Sequence, residues 1–388
     1  MSYSAVLLGL CQFLFMASVA VGISFNGLVG EDLAPSPGLA TLPYLFITAS
    51  TAALTLILPR VFAALGYQGG FIGGAFMGLI GGLLAAWAVW QASFVLFCLA
   101  GLLIGVYQAS ALYYRFAAAD AVTDPHKGTA IAWVLSGGIL AALFGPMLGS
   151  LGLHLLERQY VGSYLLVALL ALAALPVILC SRLPARQPAD IERPPIPLAE
   201  LLRYPQIKPA MVFCAGGYAM MMLVMLASPL AMQGCGFGAT DAASVIQWHL
   251  LGMFAPSLIT GRFIGRFGPQ PVALVGCLVL ASGCVLAWLG QALVNFHIAL
   301  LLVGVGWNLM YMGGSTLLTQ VADSYVRGRL QALNEFATYA VMTVTAGVTG
   351  WIYHQLGWQL LVATAAAFVL VILCAMLVRL WRGPVAAR

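Results

Sequence analysis

The sequence predicts an all-α membrane protein with twelve transmembrane helices in two six-helix halves, and with both termini in the cytoplasm. The chain has 388 residues, of which 62% are hydrophobic and only 7% are charged, whereas about 25% of the residues in a soluble domain are charged. A helix needs about 20 apolar residues to cross a bilayer, so twelve helices require roughly 240 residues. The chain supplies that number and leaves the remainder for short connections.

The hydrophobic runs divide into twelve segments, each about long enough to cross the membrane. The predicted spans are residues 5–28, 39–60, 69–90, 94–114, 129–150, 162–181, 209–231, 243–262, 271–293, 297–320, 331–353 and 358–380.

The basic residues predict the orientation, because the cytoplasmic loops of membrane proteins are enriched in Lys and Arg. Fifteen of the sixteen basic residues lie on the side that holds the even-to-odd connections and the C-terminus, and only Arg158 lies on the other side. The net charge of +5 therefore marks a membrane orientation and does not indicate a nucleic-acid partner.

A proline-rich, charged stretch in the middle of the chain predicts the domain organisation. It separates an N-terminal half (1–181) from a C-terminal half (209–388) through a cytoplasmic linker (182–208). The halves also resemble each other at an offset of 202 residues, since PRVFAALG at 59–66 aligns with GRFIGRFG at 261–268. Such a repeat is typical of transporters in which two halves rock around a central site.

These motifs resemble those of the major facilitator superfamily. GRFIGRFG is similar to the G-x-x-x-D/R-R-x-G loop motif of that family, and SGGILAALFGPMLG at 136–149 is similar to the glycine-proline motif of its fifth helix. In the third span, Gly70, Gly74, Gly78 and Gly82 recur every fourth residue and predict a smooth face for close helix packing.

Ionisable groups are costly inside a bilayer, so any that lie there are candidates for function. Arg115 and Glu335 fall near the ends of predicted spans and are interpreted as boundary residues, which leaves His249 as the one ionisable residue clearly within a span. A second set is predicted to pair across the closed cytoplasmic side as a gate: Asp120, Asp323, Arg262 and Arg266.

Methionines are concentrated around the seventh and eighth spans, where seven of the fifteen lie between positions 211 and 253. Met221 and Met225 are four residues apart, as are His249 and Met253, so each pair shares one helix face. The two spans form a hairpin around the turn at 234–238, which places Met225 level with His249 and Met221 level with Met253.

Three thioethers and one imidazole form a neutral, soft ligand set. Such a set suits Cu(I) and disfavours magnesium, calcium and manganese. The spacing therefore predicts a metal path through Met221, Met225, His249 and Met253, with copper as the cargo and no resident cofactor.

The same residues resemble the MxxxM and HxxxM pairs of the CcoA-like copper importers, a branch of the superfamily. The segment HLLGMFAPSLITGRFIGRFG at 249–268 carries the second pair. This resemblance implies import of copper across the bacterial inner membrane, with the metal destined for cytochrome c oxidase. We expect a multi-pass protein that acts as a monomer.

Two other classes compete with the copper hypothesis. In a facilitator for a small organic solute or drug, His249 is the proton-coupling group and the methionines form an adaptable apolar lining. A non-transporting scaffold or sensor is the third class. An enzyme is not predicted, because the sequence contains no nucleophile, metal-hydrolase or phosphate-loop motif.

Overall fold

The computed structural model describes residues 3–122, 126–183 and 196–381, and these ranges contain helices and turns but no strand. The helices of the first part of the chain are α1 (Tyr3–Leu33), α2 (Leu42–Thr55), α3 (Leu58–Trp90), α4 (Phe94–Ala111), α5 (Tyr114–Asp120), α6 (Lys127–Gly152) and α7 (Val161–Cys180). The short 3-10 turn Pro37–Leu39 precedes α2.

The second part of the chain begins with the short helices α8 (Leu198–Leu201) and α9 (Ile207–Met211). The predicted linker, 182–208, thus contains a helical turn, and its central residues 184–195 lie outside the described ranges. The remaining helices are α10 (Gly217–Gly234), α11 (Ala239–Phe254), α12 (Ser257–Phe267), α13 (Pro269–Leu289), α14 (Leu293–Thr319) and α15 (Ser324–Trp381).

Within the described residues, eleven helical segments are long and apolar enough to cross a membrane. The sequence predicts twelve, and the difference lies in the last segment, Tyr325–Trp381, which has 57 residues. A single span needs only about 20 residues. Gly357, with φ 70° and ψ 176°, interrupts the helical backbone inside this segment.

The internal repeat is visible in the backbone as well as in the sequence. Gly66 (φ 69°) interrupts α3, and Gly268 (φ 86°) separates α12 from α13. These two glycines are 202 residues apart, at the ends of the two related loop motifs. Positive φ strains any residue with a Cβ atom, which explains why glycine occupies both corners.

Hydrogen bonds identify the two ends of the helical bundle. The Ser4 hydroxyl donates to the Arg182 carbonyl oxygen (2.8 Å), and the Arg379 guanidinium donates to the Pro205 carbonyl oxygen (2.7 Å). The start of α1, the end of α15 and both flanks of the linker therefore lie at one end, here called the linker side. The opposite end, which holds the turn Pro37–Leu39, is called the far side.

The two parts of the chain contact each other toward the far side. The Gly350 N–H donates to the Thr41 hydroxyl (2.9 Å), and the Gln247 amide donates to the Leu143 carbonyl oxygen (2.7 Å). These bonds join α15 to the start of α2 and α11 to α6. These bonds hold the two parts of the chain together in the far-side part of the bundle.

The glycine face of α3 packs as the sequence predicts. Gly74 and Gly78 face the side chains of Ser110 and Tyr107 on α4, and Gly82 faces α7. A Cβ atom on Gly82 would lie 2.6 Å from the backbone nitrogen of Ala168, whereas a Cβ atom on Gly73 would meet nothing within 4 Å. The two positions are on the same helix, but only Gly82 has a close neighbour.

We expect Gly82→Val to destabilise the protein by about 1–3 kcal/mol, because the added atoms would force apart two helix backbones. The thermal midpoint of the detergent-purified protein measures this loss. Gly73→Val is the matched control, since it adds the same atoms to an open face of α3. Equal midpoints for the two variants would contradict the close approach of α3 and α7.

Candidate functional site

A cavity of about 200 Å³ lies between the two parts of the chain. It reaches the middle of the bundle, since Trp307 is near the centre of α14 and Met221 is near the centre of the span Ile207–Gly234. Its lining consists of Gln12, Phe15, Met16, Val19, Ile23, Tyr44, Gln108, Ala111, Leu112, Arg115, Val134, Leu135, Tyr218, Met221, Met222, Met225, Leu250, Met253, Phe254, Trp307, Tyr311, Glu335, Tyr339 and Met342.

Helical periodicity explains which residues reach this cavity. Side chains at i, i+3, i+4 and i+7 share one face of a helix, and the four lining residues of α10 have this spacing, from Tyr218 to Met225. The repeat offset of 202 residues aligns this face with the lining face of α1 and pairs Met16 with Tyr218, Val19 with Met221 and Ile23 with Met225. Equivalent faces of the two halves thus face each other across the cavity.

A short π-helical segment, Val212–Gly216, joins α9 to α10 just before this face begins. A π-helical turn inserts an extra residue into the helical repeat and rotates the rest of the helix about its axis, and such turns are frequent at functional sites. It therefore helps to set which side chains of α10, beginning with Tyr218, point into the cavity.

Three aromatic rings form a cluster on the cavity wall. The Trp307 and Tyr311 rings are stacked, with centroids 5.3 Å apart and an interplanar angle of 13°. Tyr218 meets both rings edge-on, at 4.8 Å from Trp307 and 5.6 Å from Tyr311. Within the described part of the chain, the indole Nε1 of Trp307 has no hydrogen-bond partner. This aromatic cluster gives the cavity flat π surfaces, and the indole N–H of Trp307 is buried within the wall.

Asn308 fixes the helix that carries the cluster. Its amide donates to the Met253 carbonyl oxygen and to the Ser257 hydroxyl, both at 2.7 Å, and accepts from the Thr260 hydroxyl at 2.9 Å. This buried residue bridges α14 to the junction of α11 and α12. A buried amide whose nitrogen and oxygen both form hydrogen bonds resists displacement. Asn308 therefore fixes the position of the adjacent Trp307 relative to Met253.

Six methionines complete the apolar wall of the cavity: Met16, Met221, Met222, Met225, Met253 and Met342. The thioether is polarizable and unbranched, and it makes favourable contacts with aromatic rings. The methionines therefore form a surface that adapts to the shape of an apolar or aromatic guest.

The only two charged residues of the lining form an ion pair across the cavity. The Arg115 guanidinium on α5 lies 3.7 Å from the Glu335 carboxylate on α15. The Tyr311 hydroxyl donates to the same carboxylate oxygen at 2.6 Å. The interpretation of Arg115 and Glu335 as boundary residues was therefore wrong, because both line the cavity. Their contact brings together the two halves of the chain, which no local sequence pattern reveals.

The predicted metal residues separate into two groups. Met221, Met225 and Met253 all line the cavity. His249 is fully buried but does not line it, because its Nδ1 lies 2.7 Å from the Leu300 carbonyl oxygen on α14. Among the described residues, its Nε2 has no partner. The four residues therefore do not form one ligand set around the cavity.

The predicted gating residues bond within their own halves. Asp120 accepts a hydrogen bond from the Tyr67 hydroxyl at 2.8 Å, and Asp323 accepts from the backbone N–H groups of Tyr325 and Val326. The Arg266 guanidinium lies 5.2 Å from the ring centroid of Phe267, and Arg262 is exposed. Pairing of these residues across a closed linker side stays a prediction.

Comparison with known proteins places the chain in a family. A model of the Major Facilitator Superfamily matches residues 8–325. The solved structure of the nucleoside transporter NupG superposes with a TM-score of 0.74 at 14% identity, covering 96% of this chain and 99% of that one. A bacterial homologue of the human lysosomal transporter Spinster gives 0.72 at 16% identity, covering 97% and 96%. The chain belongs to the Major Facilitator Superfamily, a family of membrane transporters rather than enzymes.

One relative is similar over nearly the whole length. The riboflavin transporter RfnT of Brucella anthropi is 35% identical over 378 residues, which cover 97% of this chain and 95% of that protein. This relative corrects the function predicted from the methionines: copper import is wrong, and the similarity points to an organic solute. The cavity agrees in physical terms, since it is far larger than a metal ion and His249 faces away from it.

Proposed function

We propose that this protein transports riboflavin, a flat heteroaromatic ring system with a polyhydroxyl side chain, by alternating access of a central cavity. The observation that carries the proposal is the aromatic cluster at the middle of the bundle. A stacked indole and phenol present a planar π surface of the kind an isoalloxazine ring requires. The similarity to RfnT over almost the full chain supports the same substrate.

The rest of the lining suits the same molecule. Apolar pockets bind ligands through hydrophobic and aromatic walls, and a few polar groups fix the orientation. Methionines surround the aromatic cluster, while Gln12 and Gln108 supply amides on the opposite wall, contributed by α1 and α4. The ring system would lie against the aromatic and methionine surface, and the hydroxyl groups would reach the polar side chains.

The proposal includes twelve spans, with α15 crossing the membrane twice around Gly357. The two rocking bodies are residues 1–181 and 209–388, and residues 182–208 connect them. Because the predicted spans put fifteen of the sixteen basic residues on the side that holds the linker, we assign this side to the cytoplasm of a bacterial inner membrane. Contacts at the far side then correspond to a state closed toward the outside.

We take a single chain as the transporting unit, because its own two halves build the cavity. In this view, the copper-binding roles predicted for the methionines are replaced by packing against an aromatic guest. Ionisable groups near the cavity are the candidates for coupling transport to an energy source, and His249 is one of them.

Expression of the protein should restore growth of a bacterial strain that can neither make nor import riboflavin, at low external riboflavin. Trp307→Ala should lower the initial rate of labelled riboflavin uptake by about tenfold or more, because loss of one stacked aromatic surface costs about 1–3 kcal/mol in comparable base-stacking sites. Uptake per transporter, normalised to membrane abundance, is the measurement.

The matched control is Trp288→Ala, since Trp288 is an exposed tryptophan on α13 that does not line the cavity. It should transport at the rate of the unaltered protein. Failure of the unaltered protein to take up riboflavin would overturn the proposed substrate, and equal loss in both variants would remove the role of the aromatic cluster.

Substitutions of Met221 distinguish a role in an apolar wall from a role as a metal ligand. Met221→Leu preserves bulk without sulfur and should lower riboflavin uptake by no more than about threefold, whereas Met221→Glu should lower it by about tenfold or more, because an unpaired charge is costly there. Labelled uptake at matched abundance measures both. A severe loss with leucine would show that the sulfur itself is required.

We propose His249 as the proton-coupling residue, since its Nε2 has no partner within the described chain and it lies one helical turn from Met253. His249→Gln should abolish accumulation driven by a proton gradient in proteoliposomes but retain riboflavin exchange without a gradient. His154→Gln, on an exposed residue, is the control. Gradient-driven accumulation by His249→Gln would exclude this role.

A further inference from the structure

The Arg115–Glu335 pair makes the cavity electrically neutral. These are the only two charged residues among the lining residues, and they carry opposite signs. Their side chains have relative exposures of 30% and 29%, so the cavity reaches them. A guest that enters this cavity therefore meets one cation whose charge is already cancelled.

Arg115 alone would be a good anion site. A guanidinium binds phosphate oxygens through two parallel N–H groups, and this geometry makes arginine the preferred phosphate ligand. Glu335 places one carboxylate oxygen 3.7 Å from the guanidinium, and a hydrogen bond from the Tyr311 hydroxyl holds that oxygen in place. The carboxylate also repels any further anion brought close to it.

These observations separate two classes of flavin. Riboflavin is uncharged at neutral pH, whereas its phosphorylated form, flavin mononucleotide, carries about 1.5 to 2 negative charges on its phosphate. Bringing that phosphate into an apolar, neutral cavity would remove it from water without a free cation to receive it. The uncharged flavin incurs no such cost.

We infer that Glu335 is a specificity-determining residue, which excludes phosphorylated flavins by neutralising Arg115. The inference rests on the proposed function and adds the residue that restricts the substrate to uncharged flavins. Glu335 acts here by balancing the charge of the guanidinium rather than by touching the isoalloxazine ring.

Equilibrium binding to the purified full-length protein in lipid nanodiscs tests the inference without requiring transport. Quenching of flavin fluorescence gives the Kd of riboflavin, and competition gives that of flavin mononucleotide. In Glu335→Gln, the ratio of the mononucleotide Kd to the riboflavin Kd should fall by about tenfold or more, because a charge-assisted contact with phosphate becomes available.

Two further variants show whether charge is the cause. Glu335→Asp keeps the negative charge and should keep the discrimination. Arg115→Gln combined with Glu335→Gln restores a neutral lining and should also restore rejection of the mononucleotide. A double variant that still accepts the mononucleotide would overturn the inference, since charge balance would then not set the choice.

Arg115→Gln provides a mirror test that does not depend on Glu335→Gln folding. It leaves Glu335 as an unpaired anion, so the cavity should favour a flavin with an aminoalkyl chain over riboflavin by about tenfold relative to the unaltered protein. An unchanged preference in both single variants, or equal binding of mononucleotide and riboflavin by the unaltered protein, would overturn the role of Glu335. Absence of riboflavin binding to the unaltered protein would instead overturn the proposed function.

Discussion

A charged side chain within a membrane requires a partner, and this constraint shapes the centre of the protein. Arg115 and Glu335 come from different halves of the chain and form an ion pair in a lining otherwise free of charge. Their contact balances the charge of the lining and joins the two parts of the chain. In the proposed transport cycle, the same pair would both select the guest and separate when the two halves move.

The walls around this pair combine rigid and adaptable surfaces. Asn308 ties α14 to the junction of α11 and α12, so the stacked Trp307 and Tyr311 rings have a fixed support. The methionines are flexible and fill gaps around whatever occupies the cavity. A planar guest can thus lie against a firm aromatic face with adaptable methionines around it.

The incorrect copper prediction shows the limit of inferring a site from residue spacing alone. Met221, Met225 and Met253 do share one cavity, whereas the hairpin around residues 234–238 predicted only their depth. Helix rotation decides the rest, because it turns His249 toward the Leu300 carbonyl oxygen and away from the cavity. The same methionine pattern serves either as a ligand set or as an apolar wall, and only the neighbouring residues distinguish the two.

The sequence by itself determined the membrane class, the superfamily and the internal repeat, because hydropathy and glycine corners such as Gly66 and Gly268 are local properties of the chain. It also indicated the close packing of Gly82, since small residues at a helical period form a smooth face. The aromatic cluster and the Arg115–Glu335 pair were decided by the tertiary structure. Their members are separated by up to 220 positions, and no periodic pattern encodes which faces of distant helices meet.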